Sequence, residues 1–140
     1  MTPDSELSRF VKAQEGSWPA ALAELRAGAK MTHWMWFIFP QLSALGRSAT
    51  AKYYGIAGLE EARDYLAHPV LGPRLIEAAR AMLSHEGESP EAILGRTDAL
   101  KLRSSTTLFD AAGGGPEFRA ILDVFYDGIP CPLTLAELGR

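Results

Sequence analysis

Apolar positions recur along most of this chain at intervals of three and four, the spacing that gathers them on one face of an α-helix. In "ELSRFVKAQE", Leu7, Phe10 and Val11 share such a face. "SWPAALAELRAG" runs from a Ser17 cap through strong helix formers to a stop at Gly28. Further helices are predicted in "SATAKYYG", "GLEEARDYLAHP", "GPRLIEAARAML", "SPEAILG", "TDALKLRSSTTLFDAAGGG", "GPEFRAILDVFYDG" and "TLAELG", each with a start signal, an apolar stripe, or a Gly or Pro stop. Period-two alternation, Asn-Gly hairpin turns and internal repeats are absent. The expected fold is all-α, a single compact domain over residues 1–140 built from many short helices.

One stretch departs from the amphipathic pattern. "THWMWFIFPQ", residues 32–41, is apolar on every side if wound as a helix, capped by Thr32 and ended by Pro40, which disfavours helical geometry at Phe39. Such a helix belongs at the centre of the domain, surrounded by the others. His33, Trp34, Trp36 and Gln41 carry polar groups that need partners when buried, and a tryptophan face there would also suit a stacked nucleobase or nicotinamide.

The second anomaly is "DALKLRSSTTLFDAA", residues 98–112, where Arg103 to Thr107 are all polar inside a predicted helix. Ser and Thr compete there with the backbone for hydrogen bonds. A helical wheel places Leu100, Leu102, Leu108 and Phe109 on one broad face and Arg103, Thr106 and Asp110 opposite. Lys101, Ser104 and Ser105 then fall inside the apolar face, where an ammonium and two hydroxyls are costly unless paired or lining a wet pocket. Two readings stand side by side. In one, Lys101 snorkels or pairs with Asp98 or Asp127 and the serines allow close helix packing; in the other, these residues line a ligand pocket.

Composition narrows the function classes. With 140 residues, 47% of them hydrophobic, the chain is long enough to bury roughly 68–70% of its surface without a disulfide or metal. The single Cys131 forms no internal disulfide, and there is no CxxC pair or zinc-type spacing. No cofactor and no metal are expected. The N-terminus lacks the apolar core of a signal peptide and no run reaches the ~20 residues of a membrane span, so a soluble cytoplasmic protein is expected. A net charge of −3 argues against a broad nucleic-acid surface while leaving room for a local basic pocket.

Candidate anion contacts are Arg47 and Ser48 in "LGRSATAKYYG" and Arg74 in "HPVLGPRL", with His68 just upstream, each before a predicted helix. Together with Lys101 and Arg103 they point to a phosphate-bearing small molecule as partner. His33 and His68 titrate in a useful range, and Asp98, Asp110 and Asp127 are candidate bases. No pair of these has a spacing that singles it out. His85, in "MLSHEGES", reads as a solvated helix end.

The segments "LSRFVKAQ", "ELRAGAKMTHWMWFIFPQLSALGRSATAKYYGI", "EARDYLAHPVLGPRL", "DALKLRSSTTLF" and "LDVFYDGIPCPLTL" resemble, in order and over nearly the whole chain, an uncharacterised bacterial family of unknown function. Its members are often labelled calpastatin-like and are grouped with Rv-type mycobacterial hypothetical proteins. The resemblance implies a multihelical domain and brings no established activity; calpain inhibitors are disordered, whereas this composition is that of a packed globule. The chain departs from the family pattern at Thr106, where Met is usual, and at Cys131, where Asp is usual. The layout is also similar to that of the YbiA-like (NADAR) proteins, a helical family associated with N-glycosidic chemistry on ADP-ribose or riboside phosphates. That similarity implies Trp34 or Trp36 stacking a base, Arg47, Arg74 and Arg103 holding phosphates, and Lys101 near the glycosidic carbon, as nucleophile or electrostatic clamp. Gln41, Ser48, His33, His68, Ser104 and Ser105 complete the expected ligand-binding set. The alternatives are a non-catalytic ligand-binding module and a structural or interaction protein; the oligomeric state is left open.

Overall fold

The expected all-α architecture is observed. The computed structural model describes residues 3–140, with side chains from residue 6 onward; Met1 and Thr2, part of the N-terminus assessed above for a signal peptide, lie outside the described residues. The helices are α1 (Pro3–Glu15), α2 (Trp18–Ala27), α3 (Met35–Ile38), α4 (Ala49–Tyr53), α5 (Leu59–Ala67), α6 (Leu71–Leu83), α7 (Pro90–Leu94), α8 (Arg96–Ala111), α9 (Pro116–Phe125) and α10 (Pro132–Glu137), with a 3₁₀ turn at Ser43–Leu45. Among the described residues the β-type pairing is limited to one isolated parallel bridge, Leu42 to Ile56. No helix among them is long and apolar enough to cross a membrane.

Start and stop chemistry is used as the sequence suggests at some helix ends and not at others. Ser48 and Ser89 cap α4 and α7 by accepting from the backbone N–H of Ala51 and Ala92. Gly28 ends α2 in the left-handed region, φ 73°. Ser17, expected to cap α2, makes no side-chain cap hydrogen bond. His85 is not a solvated end: its Nε2 lies 2.7 Å from the Leu25 carbonyl oxygen and its Nδ1 3.2 Å from Glu88. A Cβ on Gly28 would come within 2.9 Å of that ring, so Gly28 serves both the turn and the packing.

The aromatic segment is buried, as a single helical turn rather than a long helix. Trp34, Met35, Phe37, Ile38 and Phe39 all belong to the core. Thr32, expected to cap the helix, is drawn away to Glu24, and Trp34 occupies the cap position instead. The carbonyl of Phe37 accepts from the buried Gln14 Nε2 at 2.8 Å, so a side chain satisfies what a continuing helix would have satisfied. Phe39, ahead of Pro40, leaves helical geometry at φ −124°, ψ 74°.

Helix α8 is the element around which the others gather, packing against α5, α7, α9 and α10. Its wheel therefore has no outward face over most of its length. Thr106, expected to point outward, is 0% exposed, and Leu100, expected inside, is 61% exposed. The buried Thr106 hydroxyl donates back to the Leu102 carbonyl at 2.8 Å. The polar run is also a docking strip for the chain before α10. Arg103 Nε and Nη2 donate to the carbonyls of Ile129 and Pro130 at 2.9 and 3.0 Å, and Thr107 Oγ1 accepts from the Cys131 N–H at 2.9 Å.

Candidate functional site

A cleft of about 500 Å³ opens between the segment 41–51 and one side of α8. The first wall is held in a tight loop. Ser43 N–H donates to the Ile56 carbonyl and Ile56 N–H to that of Gln41, at 2.9 and 2.8 Å. Gly55 sits so close that a Cβ there would lie 2.3 Å from Ser43 Cα, which no side chain tolerates. This wall carries Gln41, Leu45, Arg47, Ser48 and Ala51; α8 contributes Thr97, Leu100, Lys101 and Ser104. Thr97, Lys101 and Ser104 are spaced four and three apart, which aligns them on one helix face.

Five residues nominated from sequence, Gln41, Arg47, Ser48, Lys101 and Ser104, thus meet across one cleft from segments far apart in the chain. Ser48 Oγ accepts from the Ala51 N–H at 3.0 Å. Arg47 is exposed and has no hydrogen-bond or ion-pair partner among the described residues. Ser104 is 7% exposed; its Oγ lies 3.2 Å from the Leu100 carbonyl oxygen and 3.4 Å from Cys131 Sγ. Burial of Cys131 works to raise its pKa, but hydrogen bonds from Ser104 first, and from Thr134 and Leu133, hold the thiol below its ordinary value.

Behind the cleft runs an ordered series of charges and rings. Asp98 meets Lys30 Nζ at 2.9 Å and Lys101 Nζ at 3.6 Å. The Lys101 ammonium stands 5.2 Å from the Trp36 ring centre, and that of Lys30 5.1 Å from the Trp34 ring centre. Two ammonium groups against one carboxylate leave this trio with an excess positive charge. Trp34 Nε1 donates to Glu24 at 2.9 Å, and the same carboxylate accepts from Met31 N–H, Thr32 N–H and the Thr32 hydroxyl at 2.7, 2.9 and 2.7 Å. Burial tends to raise the Glu24 pKa, but these four hydrogen bonds prevail and lower it from 4.5 to about 2.

The remaining nominated residues stand elsewhere. Trp34 is 1% exposed, so it offers no open face for a base. Trp36 is half-buried, with Lys101 over one face and the exposed His33 ring 6.5 Å away. Arg74 reaches Gln14 Oε1 at 3.3 Å and lies over Trp18. His68 Nδ1 accepts from the N–H groups of Val70 and Leu71 at the start of α6. Arg103 holds the 129–130 carbonyls, and Ser105 is wholly buried in α8. None of these seven lines the cleft. Conversely, Lys30 and Glu24 were not foreseen, and Thr97 was detectable, since it lies one turn before Lys101 on the same helix.

A second, larger cleft of about 940 Å³ lies between α2, α6 and the glycine turn 113–115. Its arginines are matched to carboxylates, Arg26 to Glu77 at 3.2 Å and Arg80 to Glu117 at 3.0 Å. Among the described residues no group of three or more His, Cys, Asp or Glu side chains is placed to hold a metal ion.

A family model described as "Protein of unknown function (DUF1810)" matches residues 4–138. The chain belongs to the DUF1810 family. Among solved structures, this DUF1810 protein is similar to the crystal structure of the conserved hypothetical protein Rv1873 from Mycobacterium tuberculosis. The two are 47% identical, the match covers 96% of this chain and 97% of that one, and the TM-score is 0.94. No curated protein matches. The DUF1810 fold is therefore common to both chains, and the chemistry of this one rests on its own side chains. In the α8 cleft these are cations, hydroxyls and an amide above an apolar floor, a set suited to holding an anion.

Proposed function

We propose that this DUF1810 protein binds a small, phosphate-bearing, nucleotide-like molecule, of the ADP-ribose or riboside-phosphate kind, in the α8 cleft. One observation carries the reading: the cleft walls present Arg47 and Lys101 and no carboxylate, in a chain whose net charge is −3. Like-signed charge gathered locally against the overall balance favours an oppositely charged ligand. Leu45, Ala51 and Leu100 offer the apolar surface for a ring, in place of the tryptophan faces.

Binding is favoured over N-glycosidic hydrolysis because the wall groups are suited to holding an anion, while Asp98, the carboxylate nearest Lys101, already faces two ammonium groups. Lys101 then serves as an electrostatic clamp.

The test is a thermal-shift series with NAD, ADP-ribose, nucleoside phosphates and inorganic phosphate, followed by analysis of the mixtures for a released base. A ligand at 100 times its Kd adds about 2.7 kcal/mol, which raises the Tm by several degrees. The expected result is a rise that disappears in Arg47→Ala, with the ligand recovered intact. A panel that shifts neither protein removes the ligand reading and favours a structural or interaction role.

A further inference from the structure

Two hydroxyl groups of the α8 cleft, those of Ser48 and Ser104, have their donor and acceptor roles assigned by their protein partners, and this decides which part of a ligand each can hold. Ser48 Oγ accepts from the Ala51 N–H. A hydroxyl has a single proton, and that of Ser48 is left to be donated outward. Beside it stands Arg47, unpaired among the described residues and able only to donate. This corner supplies what an anionic oxygen needs.

Ser104 has the opposite assignment. Its proton is committed inward, to the Leu100 carbonyl oxygen at 3.2 Å or to Cys131 Sγ at 3.4 Å. Of its hydroxyl, only the lone pairs remain for a ligand in the cleft that Ser104 lines. Lone pairs repel a phosphate oxygen and accept from an O–H or N–H group.

Building on the reading above, we infer that the ligand is a phosphate monoester with a hydroxyl-bearing body, a sugar phosphate or nucleoside monophosphate. Its phosphate rests on Arg47 and Ser48, and one of its hydroxyls donates to Ser104. Charge agrees: Arg47 and the surplus ammonium of the Lys30–Asp98–Lys101 trio face a group carrying about −1.5 to −2 at neutral pH. Size agrees as well, since about 500 Å³ falls in the lower half of the roughly 300–1,000 Å³ range of small-molecule sites. That is room for one phosphate and one sugar or nucleoside rather than for a dinucleotide.

The experiment is calorimetric titration of the full chain with ribose 5-phosphate, AMP, phenyl phosphate and ADP-ribose. Ribose 5-phosphate and AMP should bind roughly tenfold tighter than phenyl phosphate, the contribution of one added hydrogen bond. Ser104→Ala should close that gap. Ser48→Asp, which keeps the cap acceptor but replaces the outward donor with a negative charge, should abolish binding of all three monoesters while circular dichroism shows an intact fold. Equal affinity for phenyl phosphate and ribose 5-phosphate overturns the inference on the unmodified protein, whatever the variants do. If ADP-ribose binds in an Arg47-dependent way and the monoesters do not, the cleft reading stands and this inference falls. If nothing binds in an Arg47-dependent way, both fall.

Discussion

Two clefts of this protein, the groove on α6 and the α8 cleft, rank in opposite order by size and by unpaired positive charge. The larger, of about 940 Å³, contains Arg26 and Arg80, each facing a glutamate. The smaller, of about 500 Å³, contains Arg47 without a partner among the described residues and Lys101 sharing Asp98 with Lys30. Volume alone would select the groove on α6. A matched ion pair has already lost its appetite for a ligand charge, whereas an unmatched guanidinium keeps it, so unsatisfied chemistry is the better guide.

The sharpest way to break the comparison is through the carboxylates. Asp98 neutralises Lys30, whose side chain is only 9% exposed. Asp98→Ala leaves that ammonium enclosed without a counter-charge, and the expected loss is about 3 kcal/mol in a denaturant melt. Lys30→Met with Asp98→Ala should recover much of it, because an apolar pair replaces an ionic one at little cost. A loss below 1 kcal/mol in the single variant would mean that the trio is solvated, and the excess charge attributed to the small cleft would go with it.

The backing of the small cleft is sensitive to acid. Glu24 has a folded pKa of about 2 against an ordinary 4.5. Its contribution is complete above about pH 4.5 and fades as the pH falls toward 2, since the unfolded chain takes up the proton first. Glu24→Gln should cost about 2 kcal/mol at neutral pH, for the loss of charge-assisted hydrogen bonds. Followed by tryptophan fluorescence, its stability should decline less between pH 4.5 and 2 than that of the unmodified protein. Parallel acid curves for the two would show that Glu24 does not hold the Trp34 segment.

How far these features were legible in sequence differs between fold and site. Helices could be read because capping serines, prolines and glycines act locally, and the Ser48 and Ser89 caps form as their positions suggest. The wheel failed for Thr106 and Leu100 because it assumes one buried face, and α8 is packed against four other helices, α5, α7, α9 and α10. In the site, Lys101 and Ser104 were legible as polar residues where apolar ones were due. Glu24 and Lys30 gave no such signal. Each sits in an ordinary stretch, and its role arises only when the fold brings it against Trp34 or Asp98. Arg74, Arg103 and His68 carried a signal equal to that of Arg47, and only the placement of partners separates a structural side chain from an available one.

The smallest effects belong to the larger groove and test the comparison from the other side. The Arg26 and Glu77 side chains are 63% and 47% exposed, so water screens their attraction and mobility offsets it. Glu77→Ala should therefore change stability by less than about 1 kcal/mol, and less still in high salt. It also frees Arg26, giving the groove the unmatched guanidinium that the small cleft has naturally. If unmatched charge is what makes a cleft receptive, calorimetry with inorganic phosphate should detect weak, salt-sensitive binding that Glu77→Ala creates and Arg26→Ala with Glu77→Ala removes. Should Glu77→Ala bind no phosphate while the Arg47 cleft does, charge alone would be an insufficient criterion, and the hydroxyls of Ser48 and Ser104 would have to supply the difference.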